Sequence, residues 1–263
     1  MKKFILLFLL IPSLCFAVEP IDFSKSIAMS PAMLGGSAGA AAGATGFCSG
    51  CTQTGSNKLC ESFENTDCAA GWSADTDATY CAVNYSNAAS SGIGCTDAGT
   101  KSIKLTQSAG SFWACFAKYT FATASNVYMV ASFYLSTHDE NQTIFTIRNS
   151  SDNYIMAGIN ANTNHTLSFL VGVSVVATST NTFTHSQWTP IRVTFIQNTQ
   201  LKIEVDWDNN GSYTSELDTS TSIPDDTALV IKFGNGTSAW LNMVMEWDQI
   251  RIDSSAMPDS CAR

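Results

Sequence analysis

Charge is scarce in this sequence. Asp, Glu, Lys and Arg together make up 13% of its 263 residues, against about 25% in an ordinary soluble domain, so most of the water-facing surface has to come from Ser, Thr, Asn and Gln. The charge present leans acidic, with 22 acids against 13 bases. Removing Lys2 and Lys3 with an export leader leaves 11 − 22 = −11. That imbalance excludes non-specific nucleic-acid binding, which needs basic patches. Histidine is scarcer still: His138, His165 and His185 are the whole set. They show no His-x-His or His-x-x-x-His spacing, and each is expected alone in a surface loop near a strand end. There is no Gly-x-Ser-x-Gly elbow, and the glycine-rich tract at 35–46 is not followed by Lys-Ser/Thr, so neither a nucleophile elbow nor a phosphate loop is indicated. No run of ten or more residues carries a helical apolar stripe, which leaves strands as the building material.

What is present starts with a secretory leader. Met1-Lys2-Lys3 is basic, Phe4 to Ile11 is apolar, and Cys15-Phe16-Ala17 offers a small-x-small cleavage site, giving a signal peptide over 1–17. Its apolar run is too short to span a bilayer with ease, so no membrane span is expected after cleavage. The leader is of bacterial type, and the mature chain is expected to be secreted, periplasmic or on the cell surface. Cleavage removes Cys15 and leaves eight cysteines: Cys48, Cys51, Cys60, Cys68, Cys81, Cys95, Cys115 and Cys261. In an oxidising compartment an even number reads as disulfides, with the pairing left open by sequence. Cys48-x-x-Cys51 lacks a second pair to complete a zinc site, and no βαβ pattern surrounds it for redox work. Cys261, remote from the other seven, is expected to tie the C-terminus back to the cysteine-rich region.

Residues 18–58 lack periodicity and contain the Gly/Ala-rich tract, so they read as a flexible low-complexity arm. From residue 59 to 263 the pattern changes to short β-rich runs: 102–106, 127–135, 143–147, 154–159, 166–171, 191–196, 201–207 and 243–252. Turn-forming clusters at 149–153, 197–200 and 209–211 mark hairpins between them. Many short strands with one apolar face predict an all-β fold of two antiparallel sheets packed face to face.

The order of these runs resembles the concanavalin A-like lectin/glucanase superfamily in its laminin-G-like form. The opening Cys60-Glu61-Ser62-Phe63-Glu64-Asn65 with Trp72 is similar to the start of many such jelly rolls. Trp188-Thr189-Pro190-Ile191-Arg192-Val193, a turn, then Leu201 to Asp206 are similar to the paired central strands. Glu246-Trp247-Asp248-Gln249-Ile250-Arg251-Ile252-Asp253 is similar to a final strand that returns beside the first. The resemblance implies a jelly roll over 59–263. This fold hosts lectins, adhesion modules, structural domains and glycosidases alike, so function must come from the site.

Glu204-Val205-Asp206-Trp207-Asp208 puts carboxylates at i, i+2 and i+4, on one face while the strand lasts. Laminarinase-type hydrolases of this superfamily carry a Glu-x-Asp-x-(x)-Glu strand. Glu204 and Asp206 match its first two positions, whereas Asp208 is shorter and falls where the chain turns, a poor support for carboxyls held about 5–5.5 Å apart. Glu246 and Asp248 repeat the first two positions, but Ile250 and Arg251 stand where an acid is required. Asp206, Asp208 and Asn210 before Gly211 also read as half a calcium loop. The twelfth-position Glu of an EF-hand is missing, so the alternatives are a hairpin-held calcium ion and a plain turn. Trp207 and Trp113 are the candidate sugar-stacking platforms among six tryptophans, of which at least four are expected in the core. The leading expectation is a secreted, non-catalytic lectin- or adhesion-type module binding a glycan or cell-surface ligand. Alternatives are a surface or virion-associated protein docking through its arm, and a divergent laminarinase-type glycosidase.

Overall fold

The computed structural model describes residues 58–61, 72–76, 81–88, 101–108, 115–139, 141–235 and 242–258. Fifteen strands account for most of them: β1 (Lys58–Glu61), β2 (Trp72–Thr76), β3 (Cys81–Asn87), β4 (Ser102–Gln107), β5 (Cys115–Ala124), β6 (Asn126–His138), β7 (Gln142–Asn149) and β8 (Ile155–Ala161). The chain continues with β9 (Leu167–Val171), β10 (Ser174–Thr178), β11 (Trp188–Ile196), β12 (Gln200–Val205), β13 (Thr214–Thr219), β14 (Ala228–Asn235) and β15 (Met243–Asp253). Among the described residues there is no helix.

Two antiparallel sheets form a sandwich. One runs β13-β12-β11-β6-β15-β4-β3 with β1 beside β15, and the other runs β10-β9-β8-β7-β14-β5-β2. The strands behave as the alternation requires. In β12 every second side chain, Leu201, Ile203 and Val205, is buried, while Lys202 and Glu204 face outward. The predicted turns at 149–153, 197–200 and 209–211 each join consecutive strands, with Asp152, Asn198 and Asn209 at positive φ, a conformation Asn and Asp tolerate better than other side chains.

The last strand does return beside the first: Lys58 to Glu61 pair with Asp253 to Ile250. They occupy the edge of β15 that β4 vacates after Trp247. β11 and β12 are paired as expected, but they sit toward one side of their sheet, and the central positions belong to β6 and β15. The reason lies in length and apolar content. β6 and β15 are the longest strands of that sheet, at 13 and 11 residues, and both send large side chains into the core. Trp247 is fully buried, with the rings of Phe133, Phe145 and Phe233 at 5.7, 6.4 and 4.9 Å, so one indole contacts both sheets.

Cys81 on β3 and Cys115 on β5 form a disulfide between the two sheets. Beside it, Gly234 adopts φ 119°, and a Cβ there would lie 2.4 Å from the Cys115 carbonyl oxygen. Only glycine fits this approach. Cys48, Cys51, Cys68, Cys95 and Cys261 lie outside the described residues, as do residues 18–57 of the arm and Trp113.

Candidate functional site

The carboxylates expected on one strand face divide between a strand and a turn. β12 ends at Val205, so only Glu204 projects from the sheet, where Lys202 Nζ lies 2.9 Å from its Oε1. Asp206 is 1% exposed. Its Oδ1 accepts from the Asn210 amide at 3.0 Å and its Oδ2 from the Gly211 amide at 2.7 Å. Both oxygens thus fold the loop. Asp208 is exposed and accepts from Asn210 Nδ2 at 2.6 Å, while Asn210 Oδ1 accepts from the Ser212 amide at 2.7 Å. These bonds close the loop on itself, and no group of three His, Cys, Asp or Glu side chains arranged for a metal occurs among the described residues. The donor set fits a self-capped turn better than a cation site. Trp207 is half-buried against the core, with its indole N–H donating to Glu216 Oε1 at 2.7 Å.

A different constellation gathers on the outer face of the eight-stranded sheet, at its centre. On β15, Met245 and Trp247 face the core and Glu246 and Asp248 face outward; both carboxylates are nonetheless buried, at 6% and 1% exposure. Glu246 is clasped from β4: Lys104 Nζ lies 3.6 Å from Oε1, and Ser102 Oγ donates to Oε2 at 3.3 Å. Asn87 Nδ2 donates in turn to Ser102 Oγ at 3.2 Å. On the other flank Tyr134 of β6 stands directly opposite Glu246, and Trp188 of β11 directly opposite Tyr134, their ring centroids 5.3 Å apart. One row across four strands therefore reads Lys104, Glu246, Tyr134, Trp188.

A bulge decides what comes next on β15. The pairing steps from Asp248↔Ser132 to Arg251↔Val130, with Gln249 at φ 53°, so the extra residue reverses the alternation. Ile250 turns into the core, fully buried, and Arg251 joins Glu246 and Asp248 on the outer face. The site where the glycosidase pattern requires its second catalytic Glu thus holds a guanidinium. In the bulge, Asp248 Oδ1 accepts the Gln249 amide at 2.7 Å, and Gln249 Nε2 is buried with no partner. Glu204 cannot supply the missing acid: it lies three strands from Glu246, about 14 Å at a strand spacing of about 4.8 Å, beyond the roughly 5–9.5 Å that glycoside hydrolysis requires. Further along this face, Arg192 lies 3.9 Å over the Tyr213 ring.

The sequence marked Glu246 and Asp248 as a recurrence of the acidic pattern, broken at Ile250 and Arg251. Lys104, Ser102, Tyr134 and Trp188 come from three other strands and carried no local signal. Of the four described tryptophans, Trp247 is core, Trp72 and Trp207 pack partly against it, and Trp188 is half-buried beside Tyr134.

The histidines are a correction. Expected apart, they meet at one end of the sandwich, because the end of β6, the β8–β9 turn and the 179–187 loop converge there. His165 stacks on His185 at 4.3 Å, and both rings pack on buried Phe183.

These two sheets, their strand order and the return of β15 beside β1 define a two-sheet antiparallel jelly-roll sandwich. Among solved structures, the chain is similar to the endo-β-1,4-glucuronan lyase of the fungus Trichoderma reesei, at 14% identity over 77% of this chain and 96% of that one, with a TM-score of 0.55. It is equally similar to the cellulose-induced protein Cip1, at 14% identity over 76% and 100%, with a TM-score of 0.54. The exoplasmic/lumenal domain of VIP36 follows at 10% identity over 78% and 95%, with a TM-score of 0.48. At such identities the likeness is one of fold. No family model matches the sequence, and no curated protein matches it either.

Proposed function

We propose that the mature chain is an exported, non-catalytic glycan-binding module whose site is the outer face of the eight-stranded sheet around Tyr134, Trp188 and Glu246. The observation that carries this reading is the row Lys104–Glu246–Tyr134–Trp188. Two adjoining aromatic rings offer faces to the C–H patch of a pyranose, and a carboxylate held by Ser102 and Lys104 stands beside them to accept sugar hydroxyls. Arg251 in the place of the second acid favours binding without bond cleavage. The inter-sheet disulfide and the leader over 1–17 support export to an oxidising compartment.

A glycan array followed by calorimetry on the mature protein tests this. Trp188→Ala and Tyr134→Ala should each weaken binding about tenfold or more, equivalent to about 1.4 kcal/mol, while Trp207→Ala leaves it unchanged within about twofold. Binding untouched by Trp188→Ala would remove the site. Turnover of the bound glycan would remove the non-catalytic reading.

A further inference from the structure

The histidines at the end of the sandwich are held by backbone as well as by their rings. His138 ends β6, His165 lies in the β8–β9 turn at φ 65°, and His185 lies in the 179–187 loop. The Ser186 amide donates to the Leu135 carbonyl at 3.0 Å, and the Phe183 amide to the His165 carbonyl at 2.9 Å, so the loop is anchored on both sides of His185. Phe183 is 2% exposed and packs against all three rings.

Two of the rings meet through nitrogen. His185 Nε2 lies 2.9 Å from His138 Nδ1, with the ring planes at 81°. His138 is oriented from behind: its Nε2 donates to the Asn162 carbonyl at 2.9 Å, which also accepts the His165 amide. An imidazole whose far nitrogen is held by a backbone carbonyl keeps a lone pair on the near one, the usual support of a metal-ligating histidine. The separation also suits a pair of ligands. Two nitrogens bound at about 2.05 Å lie about 2.9 Å apart when they subtend a right angle, and about 3.3 Å apart at the tetrahedral angle. A right angle is the edge of a tetragonal set, the geometry of Cu2+, which also heads the affinity order of the divalent first-row metals.

We propose that His138 Nδ1 and His185 Nε2 together bind one Cu2+ ion, with water completing a tetragonal set. The N–H···N bond between them holds the pair at ligand spacing beforehand, so little rearrangement is needed. On binding, the proton on His185 Nε2 moves to its Nδ1, and the neutral ring gives its lone pair to the ion. Both residues are half-buried, which leaves an open side for water. His165 stacks on the face of His185 at 4.3 Å and supports that ring without ligating. Asp139, next to His138, accepts from the Asn242 amide and Nδ2 and adds no third ligand. A site with two protein ligands is consistent with the lack of a three-residue metal group among the described residues. It shares no residue with the glycan-binding face.

Titrating the mature protein, its free thiols blocked, with copper(II) chloride under calorimetry and electron paramagnetic resonance tests the proposal. The expected result is one ion per chain and a tetragonal cupric spectrum split by two nitrogens. His138→Gln and His185→Gln should each weaken binding about tenfold or more. His165→Phe, which keeps a ring on His185, should leave it within about threefold. Ni2+ should compete, while an equal concentration of Zn2+ should not displace the copper. No binding by about 100 µM Cu2+, binding that survives both glutamine variants, or displacement by equimolar Zn2+ would each overturn it. If the glutamine variants misfold, the number of coordinated imidazoles counted by pulsed electron paramagnetic resonance on the unaltered chain decides: two sustain the site, and any other number removes it.

Discussion

His185 Nε2 lies 2.9 Å from His138 Nδ1, and His138 Nε2 lies 2.9 Å from the Asn162 carbonyl oxygen. The carbonyl can only accept, so His138 Nε2 carries a proton and donates it; His138 Nδ1 is then the acceptor, and His185 Nε2 donates to it. Burial first, then the neighbouring His165 and His138, hold the His185 imidazole below its ordinary range. The unfolded chain, where His185 titrates near about 6.5, therefore binds more protons than the folded one just below that pH. The stabilising contribution is complete above about 6.5 and falls away as the pH drops through the window beneath it. Melting temperature measured from pH 8 to pH 5 should decline over that window. In His185→Phe, which keeps an aromatic ring on Phe183 without a titrating nitrogen, the decline should be shallower.

The Cys81–Cys115 bridge closes a separation of 34 residues and links the edge region of one sheet to the interior of the other. In the chain-entropy account a loop of that length is worth about 3–4 kcal/mol. Replacing both cysteines with alanine should lower unfolding free energy by roughly that amount in a denaturant titration. An effect below about 1 kcal/mol would mean that packing around Leu105 and Phe116 already holds the two sheets in place.

Gly234→Ala should be more damaging than its size suggests. The new methyl would meet the Cys115 carbonyl at 2.4 Å and Leu105 Cδ2 at 2.7 Å, in a backbone conformation at φ 119°. Strand β5 must shift to admit it, and a loss of about 3 kcal/mol or more is expected. Gly211→Ala, with nothing within 4 Å of its Cβ position, is the control. Its cost should be limited to the strained φ, about 1 kcal/mol, and differential scanning calorimetry would separate the two.

Asp206→Ala leaves the amides of Asn210 and Gly211 without their acceptor and should cost about 2 kcal/mol. Asp206→Asn retains one acceptor oxygen and should cost about half of that. Calcium at millimolar concentration is expected to leave the melting temperature unchanged, because Asp206 is buried inside the turn it caps and only Asp208 and Asn210 stand open to solvent. A calcium-dependent rise that disappears in Asp206→Ala would instead make this loop a cation site.

The fold was legible where physics acts between residues close in sequence. Leu201 to Val205 alternate because a pleated strand presents every second side chain to the core, and Asn198 and Asn209 mark turns because their side chains tolerate positive φ. β10 was illegible as a strand because it has little buried face; among the described residues it pairs with β9 alone. Asp206 fitted both the acidic strand pattern and the half calcium loop because a carboxylate that caps a turn and one that serves a site are spelled alike. Only the end of β12 at Val205 separates the two readings.

Composition and the period-two apolar pattern by themselves determined that this chain is built of strands in two packed sheets, since burial of alternate side chains is a local rule applied many times. The tertiary structure decided what lies across the strands. It placed Tyr134 and Trp188 beside Glu246, used one bulge to send Ile250 inward and Arg251 outward, joined Cys81 to Cys115, and brought three isolated histidines together. Neighbours across a sheet are fixed by register, and register depends on how all the strands fill one core together, which no single stretch of sequence encodes.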